Sequence, residues 1–215
     1  MRFAAASAAL LSLALSSAAM AKDEVKAPAG EYKLDPNHAS LTFKIVHFGL
    51  SNYTARFTRF DAALTLDPAK LTRSSVTVTI DPASVRTDYS GDFKAGHKDS
   101  PYQSFDEEIA KGDKFLNGVK FPAITFKSTS VKQGPKGHLA VTGDLTFLGV
   151  SKPVTLDAVV VGSVAKHPYM GVGVVGFSAT TRFKRSDWGM TGTQAFLGDD
   201  VTIIFEGEFD QANAK

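Results

Sequence analysis

The sequence predicts an all-β protein, an eight-stranded antiparallel barrel with one or two short helices confined to the 87–120 connection. Three observations predict it. From about residue 30 onward apolar residues recur at every second position, which is the period of a strand with one buried face. Tight-turn residues separate these runs at short intervals. Helical patterning is missing between most consecutive runs, so neighbouring strands connect directly and pair antiparallel. A long, twisted sheet of about eight strands tends to close on itself, because open edges invite aggregation. A barrel of that size has room for side chains or for one small ligand.

The chain opens with Arg2, an uncharged Ala- and Leu-rich run from Phe3 to Leu15, and the small-x-small triplet Ala19-Met20-Ala21. This pattern predicts a signal peptide over residues 1–21, cleaved after Ala21, with export to the periplasm. A retained membrane anchor fits less well, because the apolar run is short and broken by Ser12, Ser16 and Ser17. The remainder, 22–215, reads as one domain with no further apolar run of membrane-spanning length. Cysteine is absent. That excludes a lipoprotein anchor, a thiol nucleophile and cysteine-based metal sites. A formal net charge of +2 gives no sign of a nucleic-acid partner.

The strands follow in order. Leu41, Phe43 and Ile45 alternate with Thr42, Lys44 and Val46. A second run carries Phe57, Phe60 and Leu64 and stops at Asp67-Pro68; a third carries Val76, Val78 and Ile80. Residues 87–120 break the pattern, being polar and poor in β-branched side chains. Ser104 and Glu107 stand at capping-box spacing, Phe105 and Ile109 lie one helical turn apart, and Gly112 can end the helix. Phe115 follows as an apolar anchor of the same segment. Strands resume at Ile124–Val131, which contains Phe126. Gly134-Pro135-Lys136-Gly137 is a hairpin signal leading into Leu139, Val141, Leu145 and Phe147. A second turn is expected over 148–153, before Val154, Leu156, Ala158 and Val160. Gly171-Val172-Gly173 precedes a strand containing Phe177, where close packing or a bend explains the glycines better than a phosphate loop does. Arg185-Ser186-Asp187-Trp188-Gly189 is the most distinctive polar stretch, and Val201, Ile203 and Phe205 form the last run.

The inward faces of these strands define a candidate apolar lumen: Phe43, Ile45, Phe57, Phe60, Val78, Ile80 and Phe126, then Val141, Leu145, Phe147, Leu156, Phe177 and Phe205, together with Phe115, and with Trp188 at one end. Sixteen Phe stand against one Trp and five Tyr. Phenylalanine has no polar handle, so it suits a wall that touches hydrocarbon. The same residues would serve equally as the core of a filled sandwich. His47, Arg185 and Asp187 are candidates for the mouth or a headgroup contact. Arg185 and Asp187 could pair there, and Trp188 reads more readily as a plug than as a ligand contact. His38 lies close enough to Asp35 for a hydrogen bond that would pin a turn.

No catalytic residue is nominated. The five histidines show no close metal-ligand spacing, no G-x-S-x-G elbow occurs, and no phosphate-binding glycine loop is present. Two competing readings remain at this level. One is a lipid-acting hydrolase or isomerase with His47 or His38 as base, which needs an acid or nucleophile within reach. The other is a filled barrel serving as a stress-related module that binds another protein.

Four stretches together resemble a known family. They are 34–49 (LDPNHASLTFKIVHFG), 121–128 (FPAITFKS), 141–154 (VTGDLTFLGVSKPV) and 185–189 (RSDWG), in order across nearly all of 22–215. This pattern is similar to that of the YceI-like polyisoprenoid-binding proteins. The resemblance implies a lipocalin-like barrel, a periplasmic or secreted location, and a lumen holding a long isoprenoid tail, as in a polyprenyl phosphate or an isoprenoid quinone, or another long-chain amphiphile. It implies no catalytic residue, metal or cofactor beyond that ligand. A homodimer through a sheet edge is compatible with it. The 87–117 segment looks longer than is usual for the family and should border the barrel mouth.

Overall fold

The computed structural model describes residues 24–212. The expected signal peptide, 1–21, and its cleavage point lie outside the described residues. Ten strands, β1 (Gly30–His47), β2 (Ser51–Phe57), β3 (Phe60–Leu66), β4 (Ser75–Ile80), β5 (Val85–Arg86), β6 (Ile124–Gln133), β7 (Leu139–Phe147), β8 (Val150–Val164), β9 (Val174–Lys184) and β10 (Leu197–Gln211), form one antiparallel sheet. Eight of them close the ring in the order β1-β3-β4-β6-β7-β8-β9-β10 and back to β1. β2 pairs with the C-terminal half of β1, where β3 pairs with its N-terminal half, and β5 adds two residues to the outer edge of β2.

The eight-stranded closed barrel is therefore as the alternation predicts, with one correction. The run containing Phe57, Phe60 and Leu64 is two strands. Its inward residues change parity, from Ala55 and Phe57 to Ala62, Leu64 and Leu66. A period of two cannot carry all of them to one face, so the chain breaks at Thr58-Arg59, and both residues are tied to the 81–84 turn by Thr58 N–H to Ser84 O (3.1 Å) and Arg59 to Asp81 (2.6 Å). The same device recurs in β6. Ile124 and Phe126 point inward, a register shift falls between Ser128 and Ser130, and Val131 points inward beyond it. Such bulges bend their strands and help the sheet curl.

A larger irregularity sits in β1, where Asp35–His38 bulge out between the pairs Leu34–Phe209 and Ala39–Gly207. The Asp35–His38 bond holds it, at 2.6 Å from Oδ2 to Nδ1, while Asp35 Oδ1 accepts from Asn37 N–H at 2.8 Å. The hydrogen bond to Asp35 raises the His38 imidazole above its ordinary value, and the same bond lowers the Asp35 carboxyl.

The turns are tighter than the sequence suggests. Leu148 and Gly149 alone join β7 to β8, with φ of 49° and 76°, so residues 150–153 belong to β8 and Pro153 pairs opposite Asp144. Two consecutive positive φ values match the right-handed twist of the flanking strands. Gly173 answers the expectation of close packing: a Cβ there would lie 2.5 Å from Pro28 Cδ.

The 87–120 connection contains the two expected short helices, α1 (Phe93–Gly96) and α2 (Phe105–Lys111). Ser104 Oγ accepts from Glu107 N–H at 3.1 Å, as a capping box requires. The Glu107 carboxylate reaches back to Gln103 N–H instead of Ser104 N–H, so the box closes one residue early.

Candidate ligand-binding lumen

The barrel is hollow. A cavity of about 690 Å³ runs through it, within the range of about 300–1,000 Å³ typical of ligand sites. Its walls are apolar side chains from every strand of the ring. Val76, Val78 and Ile80 of β4, Leu156 of β8, and Val201, Ile203 and Phe205 of β10 face the inside, yet each remains partly accessible. Inward-pointing residues of a filled core would be sealed. Their accessibility is the mark of empty space, and it argues against the filled barrel.

Most of the expected lumen residues line this cavity: Phe43, Ile45, Phe57, Val78, Ile80, Phe115, Phe126, Val141, Leu145, Phe147, Leu156, Phe177 and Phe205. Phe60 and Trp188 do not. The Phe60 ring meets Phe205 edge-on at 6.4 Å and belongs to the wall. Trp188 is buried behind the lumen, packed against Phe183 at 4.9 Å, with its indole N–H donating to Leu145 O at 3.2 Å. Its hydrogen bond ties the 185–198 segment to β7.

The expected Arg185–Asp187 pair does not form, and Asp187 lies outside the lumen, exposed. Residues 185–188 make a 3-10 turn. Three residues per turn send side chains two apart to different sides. Arg185 turns inward and is 1% exposed. Its guanidinium donates to Gly198 O (2.8 Å), Met190 O (3.0 Å), Leu197 O (2.9 Å) and Thr193 Oγ1 (2.8 Å). Burial lowers its pKa and the neighbouring Asp199 charge opposes that fall. Asp199, meanwhile, accepts from the Ser186 hydroxyl and N–H, which keep its own pKa low. Arg185 borders the cavity, but its donors are committed to the loop that follows it, so it is a staple of the rim. His47 does line the lumen, with the Phe48 ring edge-on at 4.8 Å and Tyr53 at 6.5 Å.

One end of the lumen is packed shut. Tyr32, Leu66 and Val175 are fully buried there, and the Tyr32 hydroxyl donates to Pro28 O at 2.6 Å. Burial raises the pKa of that phenol. The opposite end is bordered by the β1–β2 turn, the 87–123 connection and the 189–197 loop. Tyr89 and Phe196 line the cavity here and also reach solvent, at 52% and 37% exposure. This end is the mouth.

Several lining residues escaped the sequence reading. Phe105 and Ile109 of α2, with Leu116, cover one side of the mouth. The sequence places their segment at the mouth, but helical spacing alone does not turn Phe105 and Ile109 into the lumen. Val131 was hidden by the β6 bulge, and Tyr53 by the polar neighbours of its short strand. No helix among the described residues is long and apolar enough to cross a membrane.

Comparison with known proteins gives a consistent pattern. The model of the YceI-like domain matches residues 32–209. A UPF0312 protein of Vibrio cholerae serotype O1 is 34% identical over 197 residues, covering 91% of this chain and 96% of that one. The crystal structure of a Campylobacter jejuni YceI protein is 31% identical with a TM-score of 0.61, covering 79% of this chain and 91% of that one. A polyisoprenoid binding domain from Saccharophagus degradans, 12% identical, shares the fold at a TM-score of 0.56, covering 86% of this chain and all of its own.

Proposed function

The chain belongs to the YceI-like domain family, and from that premise we propose that it is a periplasmic carrier for a long-chain isoprenoid, such as a polyprenyl phosphate or an isoprenoid quinone, or for an amphiphile of similar shape. The tail lies in the lumen and the headgroup stays at the mouth near His47. The observation that carries this reading is the apolar cavity of about 690 Å³, closed at one end by Tyr32, Leu66 and Val175 and reaching solvent at Tyr89 and Phe196. The polyisoprenoid-binding domain that shares the fold supports the choice of tail. The periplasmic location rests on the expected signal peptide.

Magnitudes favour a long tail. Burying a methylene is worth about 0.8 kcal/mol, while association itself costs on the order of 4–15 kcal/mol. A few carbons cannot offset that cost. About twenty buried methylenes are worth about 16 kcal/mol, which yields the roughly −8 kcal/mol of micromolar binding where association costs about 8 kcal/mol or less. The finite lumen caps how much of a tail can be buried. Longer tails would project from the mouth. With few polar side chains on the wall, the lumen selects length more strongly than headgroup.

The hydrolase reading has less support. His38 sits at the β1 bulge, outside the lumen, bonded to Asp35. His47 is flanked by aromatic rings. Native mass spectrometry of protein purified from the cell envelope should show a bound amphiphile that solvent extraction releases. Protein that is repeatedly empty, and that also ignores added quinone and polyprenyl phosphate, would overturn the carrier reading.

A further inference from the structure

We infer that one side of the mouth is a docking surface for a lipid bilayer, an inference that rests on the carrier reading above. Two loops form this side. The β1–β2 turn presents Leu50 at 86% exposure and Phe48 at 61%. The 189–197 loop presents Phe196 at 37%. They are joined: Phe48 N–H donates to Phe196 O at 2.7 Å, and the two rings stack at 5.9 Å. The turn itself is tight, with Phe48 and Gly49 at φ of 50° and 70°, and it holds both apolar side chains out at its tip.

The surface carries no formal charge over an unusual length. Residues 45–55 contain no Asp, Glu, Lys or Arg, and neither do residues 188–198. These are two separate eleven-residue stretches, brought to one place in a chain that is 21% charged. Across the mouth the composition reverses. The 87–123 connection holds seven acidic and five basic residues. That side stays in water and the neutral side does not need to. Lys114 packs against Gly192 at the border of this side; otherwise the two stretches offer a charged partner nothing to pair with, whereas a bilayer interface accommodates apolar and aromatic side chains.

The surface is also continuous with the lumen. Phe196 belongs to both, and His47, which lines the cavity, packs edge-on against Phe48. A hydrocarbon tail leaving a membrane through this side would pass from lipid to lumen without crossing open water. Two or three inserted side chains make a weak and reversible attachment, which suits loading and release.

The test uses the full mature chain and vesicles of phosphatidylcholine alone. Wild type is expected to float with the vesicles, with little change between low and high salt. A Phe48→Asp, Leu50→Asp double variant should lose about tenfold or more of that partitioning. The single Leu50→Asp variant should keep affinity for an isoprenoid quinone in solution within about twofold, since Leu50 is exposed at the turn tip and does not line the lumen. Aspartate is among the residues best tolerated at positive φ, so the turn should survive. The inference is overturned if the variant floats as wild type does. It is equally overturned if binding requires anionic lipid and vanishes in salt, or if the substitutions only convert a dimer to a monomer, which would make the surface a self-interface. Failure of the carrier reading is a different result: vesicle binding would persist while no quinone bound in solution.

Discussion

A Phe126→Arg variant should lose at least about a hundredfold in affinity for long-chain amphiphiles. Phe126 stands on β6 between Val78 of β4 and Leu145 of β7, on the cavity wall. Its ring lies so close to β7 that a Cβ on Gly143 would come within 2.5 Å of it. Arginine at this position would bring a permanent charge into a lumen whose wall offers it no carboxylate among the lining residues except Glu108 at the mouth. A bound tail would then have to strip water from that charge, and the cost exceeds what several methylenes return. Binding is measured by fluorescence displacement, with circular dichroism showing that the barrel persists. A second variant guards against misfolding. Val78→Phe adds volume without charge, and it should shorten the longest chain that binds while leaving short chains unaffected. Full uptake by a folded Phe126→Arg protein would place the ligand outside the lumen.

Arg185→Ala is expected to be the most destabilising single substitution at the rim, costing about 3–5 kcal/mol. It leaves the partly buried Met190, Leu197 and Gly198 carbonyls and the buried Thr193 hydroxyl without their shared donor. For a chain of this size the melting temperature should fall by about 10 °C. Arg185→Lys should recover only part of the loss, because a compact ammonium cannot reach four acceptors spread around a planar fork. The consequence goes beyond stability. The same four bonds set the course of the 188–198 loop, and hence the position of Phe196 at the mouth. Calorimetric unfolding reads the effect, and a loss below about 1 kcal/mol would mean that the loop holds itself without Arg185.

These two residues also show what a sequence exposes and what it hides. Phe126 sits in a strand whose alternation is plain for its first half, and its inward face follows from period two alone. Alternation likewise places Phe43, Ile45, Val141, Leu145 and Phe147 on the cavity wall. It fails where a strand changes parity. The break between Phe57 and Phe60 and the bulge between Ser128 and Ser130 each insert a residue that the apolar pattern alone does not locate. Arg185 is harder. Its neighbour in sequence, Asp187, is an obvious partner on paper, but a 3-10 turn separates them, and the real acceptors are backbone carbonyls that no side-chain pattern reveals. Trp188 is expected at one end of the lumen; it lies instead behind the wall, where its indole N–H donates to the Leu145 carbonyl. The hollowness itself was not legible. Apolar inward faces specify a filled core and an empty tunnel in the same letters, and only the partial accessibility of residues such as Leu156 and Ile203 separates the two.

The most direct test of a tail-holding lumen is calorimetric titration with amphiphiles that share one headgroup and differ only in chain length. Affinity should climb by up to about fourfold per methylene and level off once the tail fills the cavity, with no further gain from carbons that project from the mouth. Affinity that ignores chain length, or that follows the headgroup while short and long tails bind alike, would contradict it.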